Sequence, residues 1–560
     1  MPATRSILNQ VEDILLAPAR LGTMTPLKIL IVGPEVSPYA NVGGVSRVLA
    51  HLAKALVKKG HDARVFMPKF GLIDEEKYEL KMVYEGLKVP TGDEKKPELV
   101  CNVKMHQAAG HAPVYFLENQ EYYELRANVY GYNDDPIRWV LLSRGVLEFL
   151  RQQKGDGRRP PDLQSAFADR KSATAEAPTL RRGEGWRPDI IHTNDWQIGA
   201  LPNFLRTTYV KDEKLLKLAT LFTIHNLSYQ GMFDHKNVTE LNFDDGRSAI
   251  APLFSERLSW QNFMRRGIMY ADIVNTVSKT YAKEILKEEF GEGLNKLLTE
   301  VRAKLFGIVN GIDFEDFNPA TDKLIAENFD VYSLEKRREN KLALQEEFDL
   351  QVDEKIPLLG HVGRLEMQKG LDLTAEVLRP LLRDFDVQFV AVGGGDGEIA
   401  NMFRELQKEF PEKVGTHLML DFNLSHLVFA GADIMVFPSR FEPCGIVQME
   451  AMRYGAIPIV RATGGLADTV TDFNPETDTG FGFVFRDFDA WAFFAQIVRA
   501  LEIYRHKDTW EVLIKRAMTQ DNSWEARADD YIKLYRKAIH LRTEQLIDEG
   551  EIERPAAEIE

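Results

Sequence analysis

Cysteine is nearly absent: two of 560 residues, Cys101 and Cys444. Two well-separated thiols give neither a disulfide framework nor a zinc pattern, and they suit a reducing, cytoplasmic setting. No apolar run approaches the roughly 18 residues that a membrane-spanning helix needs. Residues 14–21 resemble a short targeting segment, but Glu12 and Asp13 precede it and Arg20 interrupts it, which argues against a signal peptide. Positive charge is in the minority, 70 Lys and Arg against 85 Asp and Glu, for a net charge of −15. That balance disfavours nucleic-acid and membrane-surface partners while leaving room for a local basic pocket. Common nucleotide motifs are missing as well. There is no G-x-x-x-x-G-K-[ST] and no H-E-x-x-H, and the turn Gly393-Gly394-Gly395-Asp396-Gly397 fails G-x-G-x-x-G because Glu398 stands at the last glycine position. Repeats of about 20–50 residues are not seen.

What is present is ordinary globular material. Hydrophobic residues make up 44%, with 39 glycines besides, and the length suits two to four domains. Short apolar runs alternate with longer amphipathic stretches. Strands are expected at 27–32, 63–67, 114–117, 190–193, 221–224, 273–277 and 307–309, with a helix over 45–59 closed by Gly60. After a charged helical stretch at 333–348 the pattern restarts, with strands at 357–362, 387–392, 434–437 and 457–460. Continuous apolar strands separated by helices predict parallel sheets covered on both faces. The fold class is therefore α/β, with two doubly wound Rossmann-like domains. The expected organisation is an extension at 1–26, a first domain at 27–305 joined by a C-terminal helix near 522–541, a second domain at 306–521, and an acidic tail at 545–560. Within 152–187 a Gly-, Pro- and Arg-rich stretch reads as a surface insertion. The extension includes an amphipathic helical pattern at 6–16. Ligands of such sheets sit beyond the carboxyl ends of the strands, so the site is expected in the cleft between the domains.

Polar residues collect at those strand ends. The loop PEVSPYANVGG (34–44) brings Gly43 and Gly44 to a helix N-terminus, where close backbone approach and free N–H groups suit an anion. IHTNDW ends a strand with His192, Asn194 and Asp195. His192 reads as a satisfied core histidine, and Asp195 as a residue facing the cleft. TIHNLSYQG adds His225 and Asn226, and GIVNGID adds Asn310. In the second half, VGRLEMQKG places Arg364 and Lys369 five residues apart, two cations suited to a diphosphate leaving group. PSRFEPCGIVQMEAMRYG carries Glu442 in a loop and Glu450 on the helix expected from about Gly445. Such carboxylates suit the hydroxyls of a sugar and a ribose. Thr463-Gly464-Gly465 opens another helix and offers a second phosphate nest.

In their order and spacing, PSRFEPCG with RATGGLADTV, TIHNLSYQGMF and GRLEMQKGLDL resemble the bacterial glycogen synthase and plant starch synthase family. The likeness runs from about Leu27 to His540. It implies the GT-B fold of retaining glycosyltransferases, two Rossmann-like domains facing across a cleft. It implies glucose transfer from a nucleotide-diphosphate-glucose, ADP-glucose first, to the non-reducing end of an α-1,4-glucan, with no metal and no cofactor. By resemblance, Arg364 and Lys369 hold the donor diphosphate and Glu442 the transferred glucose, with Cys444 and Gly445 in the turn beside it. His225 lies near the glucose 6-hydroxyl with Asn226 next to it, Asp195 lies on the acceptor side, and Tyr130 and Asn310 line the cleft. The chain departs from the family where Asn41 stands at a usual lysine position and Arg47 at a usual acidic one. Two other readings stay open. One is a related transferase with another donor, such as UDP-glucose, or a small acceptor. The other is a catalytically weak glucan-binding homologue.

Overall fold

The computed structural model describes residues 25–153, 185–231 and 244–554. Residues 1–24, 154–184, 232–243 and 555–560 lie outside it, and with them the helical pattern at 6–16, most of the expected insertion and the end of the tail.

The first half builds β1 (Lys28–Val32), β2 (Asp62–Pro68), β3 (Lys81–Pro90), β4 (Glu98–His106), β5 (Val114–Glu118), β6 (Ile190–Asn194), β7 (Ala219–Ile224), β8 (Ile273–Thr276) and β9 (Leu305–Gly307). They form one sheet in the order β3-β4-β5-β2-β1-β6-β7-β8-β9. Seven strands run parallel, and β3 and β4 add an antiparallel edge. That hairpin escapes a search for continuous apolar runs because only one face of it is covered. In β3 only Leu87 and Val89 are buried. The strand expected at 307–309 forms two residues earlier and ends at Gly307, which still belongs to this first sheet.

The second half builds β10 (Leu358–Val362), β11 (Gln388–Val392), β12 (Val414–His417), β13 (Ile434–Phe437), β14 (Ile457–Arg461) and β15 (Phe483–Phe485). Their order is β12-β11-β10-β13-β14-β15, parallel throughout. Short β12 and β15 carry too few apolar residues to stand out in the sequence. In each sheet the strand order reverses at one place, between β1 and β6 and between β10 and β13. Loops leave a crevice open at such switch points.

The chain crosses between the sheets after Gly307 and returns before the helix Trp524–Asp548. The two crossings touch: Ile312 N–H donates to Asn522 O at 2.9 Å. Gly311 allows this approach, since a Cβ there would lie 2.7 Å from Trp524 N. The returning helix buries Trp524, Tyr531 and Tyr535 in the first sheet's core, so the last element of the chain completes the first layer. It runs to Asp548 with Leu546 buried, so the acidic tail expected from residue 545 begins as packed helix.

Candidate active site

At the carboxyl end of β6, Asp195 adopts φ 58° and ψ 178°. That backbone region is nearly reserved for glycine and costs about 1–3 kcal/mol in a residue with a side chain. Asp195 N–H still donates to Thr223 O at 2.9 Å, extending the β6–β7 ladder by one bond. Its carboxylate accepts from the backbone N–H groups of His225, at 2.7 Å, and Asn226. Burial outweighs these bonds and, with Glu35 nearby, pushes the Asp195 carboxyl up to about 7.

His225 is held neutral, its pKa lowered to about 4 by burial. Its Nε2 lies 3.0 Å from Asn194 Oδ1. Asn194 turns its amide nitrogen to Val32 O and His192 O, so its oxygen is what faces His225. The neutral ring therefore donates from Nε2 and keeps Nδ1 as an acceptor for a hydroxyl. His192 is buried between Tyr535 and Thr223, bonded at 2.9 and 2.7 Å, and lowered to about 3 by burial; it serves the core.

The loop after β1 is organised by Glu35, which is 1% exposed. Its carboxylate accepts from Val42 N–H at 2.6 Å and Gly43 N–H at 2.9 Å, and Tyr130 bonds to it. A Cβ on Gly43 would sit 2.9 Å from Glu35 Oε1, whereas Gly44 faces open space. Asn41 does not reach outward as a cation would: its Oδ1 accepts from Ser46 Oγ at 2.5 Å.

In the second half, Glu442 follows β13 and is 8% exposed. Lys369 Nζ lies 2.5 Å from its Oε2, and Ser439 Oγ 3.4 Å away. Arg364 is not drawn into this pair. It bonds to Glu366 at 2.7 Å with its side chain half exposed, free to swing. Cys444 is buried, its thiol pushed up to about 12 by burial and bonded by Asn310 N–H, so it is no nucleophile. Asn310 Oδ1 is buried without a hydrogen-bond partner. Gly445 turns the chain at φ 71°, and the helix starts at Val447, with Glu450 on it.

Thr463-Gly464-Gly465 has a packing role that the sequence does not disclose. A Cβ on Gly464 would meet Glu442 O at 1.8 Å, and one on Gly465 would meet Cys444 O at 1.8 Å. Gly465 N–H donates to Glu442 O at 3.1 Å. The Gly464 N–H and Thr463 hydroxyl are taken by Glu284, at 3.1 Å each, from the helix Lys279–Glu284 of the first half. In return Asp468 accepts from Thr280 N–H at 2.9 Å. Each short helix is thus capped by an acid from the opposite half. In this arrangement the expected phosphate nest is filled from within the protein.

The two sets of strand ends thus face each other. Around Asp195 the first half gathers His225, Asn226, Tyr130 and the Gly43 loop; around Glu442 the second gathers Lys369, Cys444, Gly445 and Gly464. Sequence reading overlooked Glu35, Glu284 and Ser439. Glu35 had a signal, a carboxylate just past β1 beside the switch point. Glu284 had none, because its partner is contributed by the other sheet.

A family described as "Starch synthase catalytic domain" matches residues 28–300, and one described as "Glycosyl transferases group 1" matches residues 344–517. A glycogen synthase of Moorella thermoacetica is 40% identical over 526 residues, covering 94% of this chain and 99% of that protein. Another, from Desulforudis audaxviator, is 39% identical over 531 residues, covering 93% and 98%. Among solved structures, the catalytic domain of starch synthase IV from Arabidopsis thaliana, bound to ADP and acarbose, is 31% identical. It superimposes with a TM-score of 0.75 over 92% of this chain and 100% of that one. Sucrose-phosphate synthase from Thermosynechococcus elongatus, 19% identical with a TM-score of 0.51 over 92% and 99%, shares the GT-B fold.

Proposed function

Because this chain belongs to the starch synthase and glycogen synthase family of GT-B glycosyltransferases, we propose that it moves glucose from ADP-glucose to the non-reducing 4-hydroxyl of an α-1,4-glucan. Glycogen or starch synthase activity is the chain's reaction class; the donor nucleotide, the roles of single residues and a cytoplasmic setting are the proposal. The observation that carries it is the Lys369–Glu442 pair at 2.5 Å, at the second switch point and across from the Asp195 strand end. A carboxylate so held accepts sugar hydroxyls, and the ammonium beside it meets the charge that develops on a departing diphosphate. Arg364, half exposed and paired among the described residues with Glu366 alone, is free to join it. ADP as donor nucleotide is supported by the starch synthase IV likeness, and a reducing compartment by two free, buried cysteines.

Retention of configuration suits attack from the face the diphosphate leaves, with the leaving group assisting the acceptor hydroxyl. No protein nucleophile is then needed, and catalysis rests on positioning and charge stabilisation. His225 offers Nδ1 to a sugar hydroxyl. Asp195, poised near neutrality, orders the His225–Asn226 backbone through its two bonds. Asn310, whose backbone N–H bonds the Cys444 thiol, offers its buried, unpartnered Oδ1 as a further acceptor. Purified protein incubated with ADP-, UDP- and GDP-glucose plus glycogen should extend the glucan best with the ADP sugar. No transfer with any donor would sink the reading, and a clear preference for UDP-glucose would correct the donor. No helix among the described residues is long and apolar enough to cross a membrane.

A further inference from the structure

The helix Gly44–Lys58, which begins at the glycine loop, carries Arg47, His51, Lys54 and Lys58 at spacings of four, three and four, one face of a helix. Each meets an acid from beyond the first sheet. Lys58 meets Glu525, Lys54 meets Asp313 and Glu315, and His51 meets Asp313 at 2.9 Å, all where the chain crosses between the halves. Arg47 ends this row at the cleft, its NH1 3.6 Å from Glu450 Oε1. The Glu450 side chain is 6% exposed. It takes part in no hydrogen bond among the described residues, unlike Glu35, Glu284 and Glu442, which are all bonded. A buried carboxylate left in this state is costly unless a ligand supplies donors.

Building on the proposed donor site, we propose that Arg47 is a positioning residue that reaches across the cleft to keep Glu450 ionised and aimed at the ribose hydroxyls of the nucleoside diphosphate. A carboxylate accepts both hydroxyls of a diol, whereas a carboxylic acid loses part of that capacity. Burial drives the Glu450 carboxyl up to about 7, and Arg47 and His51 hold it below where burial alone would put it. The other groups facing it are few. His51 is committed to Asp313, and the Tyr454 hydroxyl, which follows the Glu450 helix, is committed to Asp322. Arg453, on the same helix, turns away to Met518 O. Arg47, at 3.6 Å, is thus the cation paired with Glu450, and His51 acts in the same direction from farther along the helix.

The test is calorimetric binding of ADP and of 2′,3′-dideoxy-ADP to the full chain between pH 6 and 9. Arg47→Gln should weaken ADP about 10-fold at pH 7, the worth of a charge-assisted bond. It should also move the pH at which ADP affinity is half lost upward, because an acid without its cation ionises later. It should leave dideoxy-ADP unchanged, and Arg47→Lys should recover most of the loss. Equal weakening of both nucleotides would make Arg47 a clasp between the halves and overturn the proposal, as would unchanged ADP binding. Failure of the unaltered protein to bind ADP at all would instead remove the donor-site reading beneath it. Arg47 is 39% exposed at its side chain, so the neutral variant is expected to fold; thermal melting checks this.

Discussion

The two faces of the cleft solve opposite electrostatic problems. At the ends of β1, β6 and β7, carboxyls and a histidine are kept close to neutral by burial: Asp195 is raised to about 7 and His225 lowered to about 4. At the ends of β10 and β13, acids and bases are set side by side: Lys369 with Glu442, and Arg364 with Glu366. In the proposed reading the first face orders uncharged hydroxyls and the second meets a diphosphate. An overall charge of −15 fits this division, since a neutral polymer tolerates an acidic exterior and only a small anion needs local cations.

Breaking the paired side should have the largest effect. Glu442→Ala removes the proposed acceptor of sugar hydroxyls and frees Lys369, and turnover should fall by roughly 10²–10³. Initial rates on glycogen measure the loss, and an unchanged melting temperature separates it from unfolding; near-normal turnover would take Glu442 out of the site. Gly464→Ala is next. Its new Cβ would meet Glu442 O at 1.8 Å, with φ at 44° already unfavourable to a side chain, so activity should fall about 10–100-fold with lowered stability. If the rate survives, the glycine pair is not what seats Glu442.

The neutral side should answer to pH. Native Asp195 holds its proton up to about pH 7, while the unfolded residue loses it near 3.8. Between these values the unfolded state binds fewer protons, so this group's contribution to stability falls as pH rises through the window and is fully lost above it. Asp195→Asn should therefore raise the melting temperature more at pH 8 than at pH 4, while slowing transfer about 10-fold. A pH-independent difference in melting would mean the carboxyl is not held neutral by burial.

The smallest change expected is from Asn41→Lys. A lysine cannot keep the Ser46 bond and would place a cation beside the glycine loop, lowering the donor KM roughly threefold. A gain of a hundredfold or more would show that the unmodified loop is crippled and favour the weakly catalytic alternative.

Much of this was legible in the chain. Buried strands such as β1, β7 and β13 announce themselves because both faces are covered and most positions are apolar. Edge elements did not, since β3 alternates and β12 and β15 are too short for periodicity to register. Asp195, His225 and Glu442 were visible as polar residues ending apolar runs, where unsatisfied groups are costly without purpose. Glu284 was not, because its meaning depends on Gly464, 180 residues away on the other sheet.

By itself the sequence determined the parallel cores of the two sheets, their order of appearance and the identity of the groups at their ends, because period and apolar content act locally. Tertiary structure decided what those groups do. It showed Thr463-Gly464-Gly465 to be a seat for the Glu442 turn, already capped by Glu284. It turned Arg47, an oddity in the first turn of the helix after the glycine loop, into the neighbour of a buried Glu450 across the cleft. The physical reason is that pKa and hydrogen-bond capacity depend on burial and on partners brought from elsewhere in the chain, and neither is encoded in a residue's own segment.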